Sequence, residues 1–251
     1  MRRIITLLTD FGTADGYVAE VKGVLVSLAS EATIIDLSHD IPPQDVECAR
    51  LAVARYWRRF PAGTVHLVIV DPGVGSSRAA LAVSSDERYL LGPDNGVLSP
   101  ALLVAGGRAV KLPSHAGASA TFHGRDIFAP AAAALANGAA IDSLGAVHAA
   151  PVVRRTPEAH RLADGSIAGE IIAVDRFGNA ITNLVAPRGG LVEIAGQSIV
   201  LRRTYADVPP GQITAVTGSS GLVEIALRDG DAARSLGLVR GAAVVLRAPR
   251  S

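Results

Sequence analysis

An acidic and a basic side chain on either side of a tight turn are the first residues of this sequence that could do chemistry together. Asp71 directly follows the apolar run 65–70, and Arg78 lies beyond the turn 72–75, which reads Pro-Gly-Val-Gly. Proline and glycine allow a sharp bend and a close approach of a ligand to the backbone. At the carboxyl end of a strand in an α/β fold, such a pair indicates a ligand site. A capping aspartate and a solvated arginine at an ordinary turn are the alternative.

His123 is the next candidate, in the segment 121–130 with the sequence Thr-Phe-His-Gly-Arg-Asp-Ile-Phe-Ala-Pro. It precedes an alanine-rich helix that is predicted to end near Asn137 and Gly138. An imidazole titrates near neutral pH, which makes this side chain the best general-base candidate in the chain. A structural or surface role is the alternative for a histidine that stands alone.

Alternating strands and helices must position these residues. Apolar runs predict strands at 4–9, 33–37, 65–70, 80–83 and 89–91, the last two as a hairpin, and apolar stripes predict helices from residue 15 and from Pro43. Such alternation indicates an α/β domain with a mostly parallel sheet, whose strand ends share one edge. The side chains that follow predicted strands are therefore expected to converge on one face: Asp10, His39, Asp71 and Asp94.

The second half of the chain has a different character. Proline, arginine and turn residues between 151 and 166 indicate a linker, so the domains are predicted as 1–150 and 167–251. Beyond the linker, short apolar segments with frequent glycine turns predict a smaller all-β domain, a barrel or sandwich, with strands at 169–174, 180–185, 191–194, 198–201, 213–217, 222–227 and 243–247. The segments 175–179 and 217–221 look chemical, although Asp, Asn, Gly and Ser are also ordinary turn residues.

The composition excludes several classes of protein. With 24 basic and 23 acidic residues the net charge is +1, so the sequence has no electrostatic footprint for nucleic acid. The single cysteine, Cys48, excludes an intramolecular disulfide and a cysteine-based metal cluster, and we expect it to be a small core residue. The apolar run 4–8 is too short for a signal peptide and no stretch could span a bilayer, so we expect a soluble, cytoplasmic protein without a membrane partner.

Six short motifs follow one another along the chain: Thr9-Asp-Phe-Gly12, Asp71-Pro-Gly-Val-Gly75, Pro93-Asp-Asn-Gly96, Phe122-His-Gly-Arg-Asp126, Asp175-Arg-Phe-Gly-Asn179 and Gly218-Ser-Ser-Gly221. In this order they resemble the S-adenosylmethionine (SAM) hydrolase (adenosine-forming) family, also called the SAM hydroxide adenosyltransferases, whose superfamily includes fluorinating and chlorinating enzymes. One such motif is a weak signal, whereas six in order are highly specific. The resemblance implies an α/β N-terminal domain, a β-barrel-like C-terminal domain, and a homotrimer that binds its substrate SAM at subunit interfaces.

The resemblance also implies roles for individual residues. The catalytic set falls on Asp71, Arg78 and His123. The substrate-binding set falls on Asp10 for the ribose hydroxyls, Asp175 and Ser219 for the amino acid end, Asn179 for the adenine edge, Tyr205 for stacking on adenine, and Asn95. No metal or cofactor is implied, since SAM itself is the substrate.

These residue types suit the attack of water on SAM. The sulfonium leaves as a neutral sulfur and needs no general acid, whereas water is a weak nucleophile that must be aligned with C5′ and relieved of a proton. Asp71 and His123 could accept protons while Arg78 fixes the carboxylate, and base assistance of this kind contributes about 10²–10⁴-fold. Two alternatives stay open: a halogenase of the same fold, and a SAM or adenosine sensor with little turnover.

Position 71 separates the hydrolase from the halogenase. The halide-using relatives carry Tyr there, whereas the Asp71 carboxylate would repel a halide ion in a dry site. The chain departs from such relatives elsewhere as well: the fluorinating enzymes have tryptophans near Gln44 and Ile181, and some relatives place Arg at Ser220. Hydrolysis of SAM to adenosine and methionine is therefore the predicted function.

Overall fold

The computed structural model describes residues 3–185 and 189–247, in two units, Met1–Arg154 and Arg155–Ser251. The sheet of the first unit has seven strands: β1 (Ile4–Thr9), β2 (Thr33–Ser38), β3 (Val65–Ile69), β4 (Ala80–Ser85), β5 (Arg88–Pro93), β6 (Arg108–Leu112) and β7 (Ala146–Val147). Their order is β2-β1-β3-β5-β4-β6-β7. The first four strands in this order run parallel, as predicted, and β4, β6 and β7 extend the sheet in the antiparallel sense. The direction changes because Asp86 and Glu87, both with positive φ, close a tight hairpin between β4 and β5.

Helices cover both faces of this sheet: α1 (Tyr17–Leu28), α2 (Val46–Tyr56), α3 (Ser99–Leu102) and α4 (Ala129–Ala136). α1 and α4 pack on one face through residues such as Leu25 and Ala132, and α2 and α3 pack on the other through residues such as Val53 and Ala101. The apolar stripes that predicted the long helices are thus the faces buried against the sheet. Among the helices of the described residues, none has both the length and the apolar character that crossing a bilayer requires.

The start of α2 corrects a prediction. The helix begins at Val46 and not at Pro43, because Gln44 has a φ of 67°, which lies outside the helical region. The Asp45 side chain then caps the helix by accepting a hydrogen bond from the Cys48 N–H at 2.9 Å. The intervening loop contacts the candidate site through the backbone of Gln44.

The second unit is a closed barrel, as predicted. Its strands are β8 (His160–Arg161), β9 (Ile167–Val174), β10 (Ala180–Val185), β11 (Leu191–Ile194), β12 (Gln197–Arg202), β13 (Ile213–Thr217), β14 (Leu222–Leu227) and β15 (Ala243–Arg247), with one short helix, α5 (Ala232–Leu236). The order β10-β14-β13-β12-β11-β15-β9 closes through a pairing of β9 with β10. β8 extends β9 and lies within the segment 151–166 that the sequence analysis assigned to a linker.

Candidate active site

The ends of two neighbouring parallel strands place Asp10 and Asp71 at one edge of the first sheet. Thr9 of β1 pairs with Ile69 of β3, and the two aspartates follow one and two residues later. Both therefore lie at the carboxyl edge of the parallel strands, where ligands bind in open α/β sheets.

Arg78 connects the three residues of the predicted catalytic set. Its Nε donates to Asp71 Oδ1 at 2.9 Å, and its Nη2 donates to Oδ2 of the same carboxylate. Nη2 also donates to Nδ1 of His123 at 2.8 Å. The side chains of Arg78 and Asp71 are only 10% and 6% exposed, so the paired charges are largely shielded from water. The structure thus brings together residues from two separate sequence motifs.

The contact with Arg78 fixes the protonation state of His123. A guanidinium can only donate, so Nδ1 must be the acceptor and the ring proton lies on Nε2. Burial lowers the pKa of His123 below its ordinary value, and the positive charge of Arg78 lowers it further. The negative charges of Asp71 and Asp126 oppose this effect without cancelling it. His123 Nδ1 therefore serves as the acceptor for Arg78 in this geometry, and the base roles that the sequence analysis gave to Asp71 and His123 stay predictions.

One buried nitrogen of the Arg78 side chain differs from the other two. Nη1 makes no hydrogen bond to any of the residues that the structure describes. The guanidinium carbon lies 5.6 Å from the centre of the Phe128 ring, which covers part of the guanidinium. An unsatisfied buried donor costs about 1–3 kcal/mol. Nη1 is therefore suited to bind an oxygen atom of a ligand or of water.

Two local features hold the turn after β3 against the segment that contains His123. Gly75 has a φ of 77°, and a Cβ at this position would lie 2.6 Å from the carbonyl oxygen of Ala120. Only glycine therefore lets the turn after β3 approach the segment that leads to His123. Gly124–Phe128 forms a π-helical turn between this histidine and α4, a geometry that is frequent at functional sites.

Two of the predicted substrate-binding residues already have partners in the first unit. Asp10 Oδ2 accepts a hydrogen bond from the backbone N–H of Gln44 at 2.7 Å, so one of the two carboxylate oxygens of this predicted ribose ligand has a protein partner. Asn95 Nδ2 donates to the Val70 carbonyl at 2.9 Å, and its Oδ1 accepts from the Val97 N–H at 3.1 Å. The Asn95 amide thus stabilises the loop beside β3, and its contact with substrate stays a prediction.

Asp94 and His39, which were expected at the same edge, have partners of their own. Asp94 accepts from the backbone N–H of Val152 at 2.7 Å and lies 3.0 Å from Nε2 of His148. His39 Nδ1 lies 2.9 Å from the hydroxyl oxygen of Thr9. These contacts support the loops around the site and are separate from the ion pair at its centre.

In the second unit, Asp175 and Asn179 build the turn between β9 and β10. Asp175 Oδ1 accepts from the backbone N–H groups of Phe177 and Asn179, both at 2.9 Å. Its Oδ2 accepts from Asn179 Nδ2 at 3.0 Å. The carboxylate therefore stabilises the turn, in line with the alternative that these are ordinary turn residues. Phe177 lies at the tip of the turn and is 77% exposed. The contacts of this turn with substrate stay a prediction.

Tyr205 has an acidic partner that the sequence reasoning missed. Its hydroxyl donates to Glu224 Oε2 at 2.9 Å. Burial raises the pKa of Tyr205 to about 12, with contributions from Glu224 and Asp175. Glu224 is 6% exposed in the middle of β14, and an acid within an apolar strand is the signal that could have found it. A Cβ at Gly218 would lie 1.7 Å from Glu224 Oε1, so the turn that exposes Ser219 packs directly on this acid.

Three aromatic side chains of the first unit form a cluster at a pocket of about 350 Å³. They are Phe11, Tyr17 and Phe122, whose ring centres are 5.3–6.1 Å apart. Phe11 follows Asp10 and Phe122 precedes His123 in the sequence, but the residues of the Arg78 group do not line this pocket. Within the described part of the chain, no three His, Cys, Asp or Glu side chains group so as to hold a metal ion.

Two domain families match the chain in the order of its two units. The SAM hydroxide adenosyltransferase N-terminal domain matches residues 5–145, and the SAM hydroxide adenosyltransferase C-terminal domain matches residues 169–245. The chain belongs to the SAM hydroxide adenosyltransferase family. The resemblance carried by the six sequence motifs is thereby confirmed.

Individual relatives of this chain support the family assignment. A protein from Thermus thermophilus named (R)-S-adenosyl-L-methionine hydrolase is 43% identical over 257 residues, which cover 97% of this chain and 99% of the relative. The crystal structure of an uncharacterized conserved protein from Thermotoga maritima superposes with a TM-score of 0.87 at 30% identity, covering 99% of this chain and 100% of that one. A fluorinase from Actinopolyspora mzabensis is 28% identical over 214 residues, covering 73% of this chain and 72% of the relative.

Proposed function

We propose that this protein hydrolyses SAM to adenosine and L-methionine. The observation that carries the proposal is the arrangement around Arg78, which holds a carboxylate and a neutral imidazole and leaves one buried nitrogen without a partner among the described residues. In this group the carboxylate offers a water molecule a proton acceptor, while Arg78 and His123 hold the carboxylate in place. The relative from Thermus thermophilus, which is named a hydrolase of (R)-S-adenosyl-L-methionine, supports the same reaction.

In the proposed reaction the oxygen of water forms a bond to C5′ of SAM while the bond from C5′ to the sulfonium sulfur breaks. The bonding electron pair goes to sulfur, which leaves as the neutral thioether of methionine. The step therefore needs neither a general acid nor a cofactor. Water gives up one proton, and its oxygen becomes the 5′ hydroxyl of adenosine. Alignment of the water opposite the departing sulfur supplies a large part of the acceleration.

The three residues of the Arg78 group have separate roles in this proposal. The Asp71 carboxylate accepts the proton that water gives up. His123 accepts a hydrogen bond from Arg78 and so holds the guanidinium in place. Because Arg78 binds both oxygens of Asp71, the carboxylate is held in one orientation. Base assistance of this kind contributes about 10²–10⁴-fold.

We further propose that the active form is a cytoplasmic homotrimer with SAM bound at subunit interfaces, as the family resemblance implied. In this assembly Asp10 holds the ribose from one subunit. The groups for adenine and for the methionine end come from the second unit of a neighbouring subunit: Asp175, Asn179, Tyr205 and Ser219. The bonded turn and the Tyr205–Glu224 pair support this role, because they hold the polar groups of that unit in fixed positions.

Halide attack on SAM is the second candidate, because a fluorinase is among the relatives. Asp71 argues against this candidate. Its carboxylate is 6% exposed and paired with Arg78, and a halide ion has no proton to give to it. Water carries no charge and gains from the same carboxylate as a proton acceptor. Hydrolysis is therefore favoured over halogenation.

Turnover of SAM by the purified protein in halide-free buffer tests the proposal, with products separated by liquid chromatography. We expect adenosine and methionine in equal amounts, with no change when chloride or fluoride is added. Asp71→Asn keeps the shape of the side chain, and we expect it to lower kcat by about 10²–10⁴-fold while calorimetry still detects SAM binding. A 5′-halo-5′-deoxyadenosine product would favour the halogenase, and binding without any product would favour a sensor.

A further inference from the structure

His39 lies where the ends of β1 and β2 meet, beside the turn that contains Asp10. The register of the two strands shifts at this point, so that β2 carries one unpaired residue, Leu37. Such an irregularity re-aims the residues that follow it. The imidazole of His39 is only 6% exposed, so it is packed within the protein rather than displayed to solvent.

His39 binds the chain on both sides of Asp10. Its Nδ1 lies 2.9 Å from Thr9 Oγ1, and its carbonyl oxygen accepts from the Gly12 N–H at 2.8 Å. The Thr9 hydroxyl also accepts from the Phe11 N–H at 3.3 Å. Thr9 is fully buried, so water does not compete for these bonds. The residues before and after Asp10 are therefore tied to a single histidine.

This hydrogen-bond chain has a direction. Because the Phe11 N–H donates to the oxygen of Thr9, the single hydroxyl proton of Thr9 is available for Nδ1 of His39. Nε2 then carries the ring proton, and the Asp36 Oδ1 atom lies 3.1 Å from it. Burial alone would raise the pKa of Asp36, but the hydrogen bond from Lys22 and the nearby His39 imidazole outweigh it and lower that pKa below its ordinary value. A charged carboxylate thus supports the tautomer that accepts from Thr9.

We propose that the hydrogen-bonded pair of Thr9 and His39 positions Asp10 for binding the ribose hydroxyls of SAM. The inference rests on the proposed function, in which Asp10 is the ribose ligand. The loop that follows His39 adds a third support, because the Gln44 N–H binds Oδ2 of Asp10 at 2.7 Å. Both the turn and the carboxylate of Asp10 are thus anchored to the segment 39–44. Thr9 and His39 are positioning residues, since they act through Asp10.

The same strand contains a matched control. Thr6 Oγ1 lies 2.8 Å from Nδ1 of His66, and both side chains are fully buried. This pair joins β1 to β3 through the same two chemical groups, three residues before Thr9 and away from the turn of Asp10. Replacement of Thr by Val keeps the volume and removes the hydroxyl at either position. The comparison of Thr6→Val with Thr9→Val therefore separates a loss of stability from a loss of positioning.

The experiment measures Tm, KM and kcat for SAM, and the Kd of adenosine by calorimetry, in four proteins: wild type, Thr6→Val, Thr9→Val and Thr9→Ser. We expect both valine variants to have a lower Tm. Only Thr9→Val should raise KM and the Kd of adenosine, by about tenfold, which corresponds to the loss of one buried hydrogen bond. Its kcat at saturating SAM should fall less than its KM rises. Thr9→Ser restores the hydroxyl and should restore both binding constants.

An unchanged KM and an unchanged adenosine Kd in folded Thr9→Val would overturn the proposal, and so would an equal rise in Thr6→Val. Thr9→Ala, which only removes atoms, takes the place of Thr9→Val if the latter does not fold. Failure of the proposed function gives a different result, because wild type and Thr6→Val would then form no adenosine from SAM. The adenosine Kd of Thr9→Val would still report on the positioning of Asp10.

Discussion

Replacement of His123 by Gln distinguishes a residue that anchors Arg78 from a general base. The Gln amide can offer an oxygen to Arg78, but it cannot take up a proton. His123 accepts from Arg78 at 2.8 Å through Nδ1, so its function in the proposed reaction is to hold the guanidinium that fixes Asp71. We therefore expect His123→Gln to lower kcat by less than about tenfold, which is the scale of one imperfect hydrogen bond. Loss of a general base would instead lower kcat by about 10²–10⁴-fold.

His123→Ala supplies the scale for this comparison. It removes the acceptor of Arg78 Nη2, in an ion pair whose side chains are 10% and 6% exposed. A buried donor without a partner costs about 1–3 kcal/mol, which corresponds to about 5–150-fold. We expect the kcat of His123→Ala to be lower than that of wild type by a factor within this range. It should also be lower than the kcat of His123→Gln. Calorimetry with SAM shows whether both variants still bind substrate.

The assay is steady-state SAM turnover as a function of pH. Protonation of Nδ1 removes the acceptor of Arg78, so wild-type activity should fall in acid, with a midpoint below 6.5 because burial and Arg78 lower the pKa of His123. His123→Gln should lack this acid limb, since Gln does not titrate. A drop of about 100-fold or more in His123→Gln at neutral pH, equal to that of His123→Ala, would refute this anchoring role and favour a general base.

Three further predictions concern the fold and the assembly. Burial lowers the pKa of His66 from 6.5 to about 4, with a contribution from Arg88 and against an opposing effect of the Trp57 backbone, so the unfolded chain binds more protons between these pH values. As the pH drops from 6.5 to 4, the free energy of unfolding should therefore fall by about 1.4 kcal/mol per pH unit, or about 3 kcal/mol in total. Denaturant titrations that show the same free energy of unfolding across this range would contradict the prediction. Gly75→Ala places a Cβ 2.6 Å from the Ala120 carbonyl oxygen at a φ of 77°, so kcat should fall at least about tenfold. A wild-type rate would mean that this turn does not determine the positions of Asp71, Arg78 and His123. Mixing Asp71→Asn chains with Asp175→Asn chains should restore part of the activity if subunits share sites, and no recovery in confirmed mixed trimers would place each site within one chain.

The architecture could largely be predicted from the sequence, because apolar periodicity determines which segments become strands and helices. The predicted strand 4–9 coincides with β1, and the seven predicted strands of the second half overlap β9 to β15. The start of α2 was missed because the positive φ of Gln44 is not encoded by a turn residue such as glycine. The antiparallel half of the first sheet depends on the pairing of β4 with β6, which are separated along the sequence. Apolar periodicity does not indicate which strands pair with each other.

The membership of the Arg78 group followed from the motifs, but its chemistry did not. Which nitrogen of His123 carries the proton depends on the atom that reaches the ring, and only the contact at 2.8 Å decides it. Likewise, Asp94 follows a strand as predicted, yet its carboxylate binds the backbone N–H of Val152 instead of joining the group. An acid within an apolar strand could have pointed to Glu224, but this pattern carries no sign of its partner Tyr205.

Incubation of the purified protein with SAM in halide-free, ¹⁸O-labelled water, followed by mass spectrometry of the products, tests the central claim most directly. We expect ¹⁸O in the 5′ hydroxyl of adenosine and none in methionine, because the water oxygen bonds to C5′ as the bond to sulfur breaks. Adenosine without the label, or a product that forms only when halide is supplied, would contradict attack by water at this carbon.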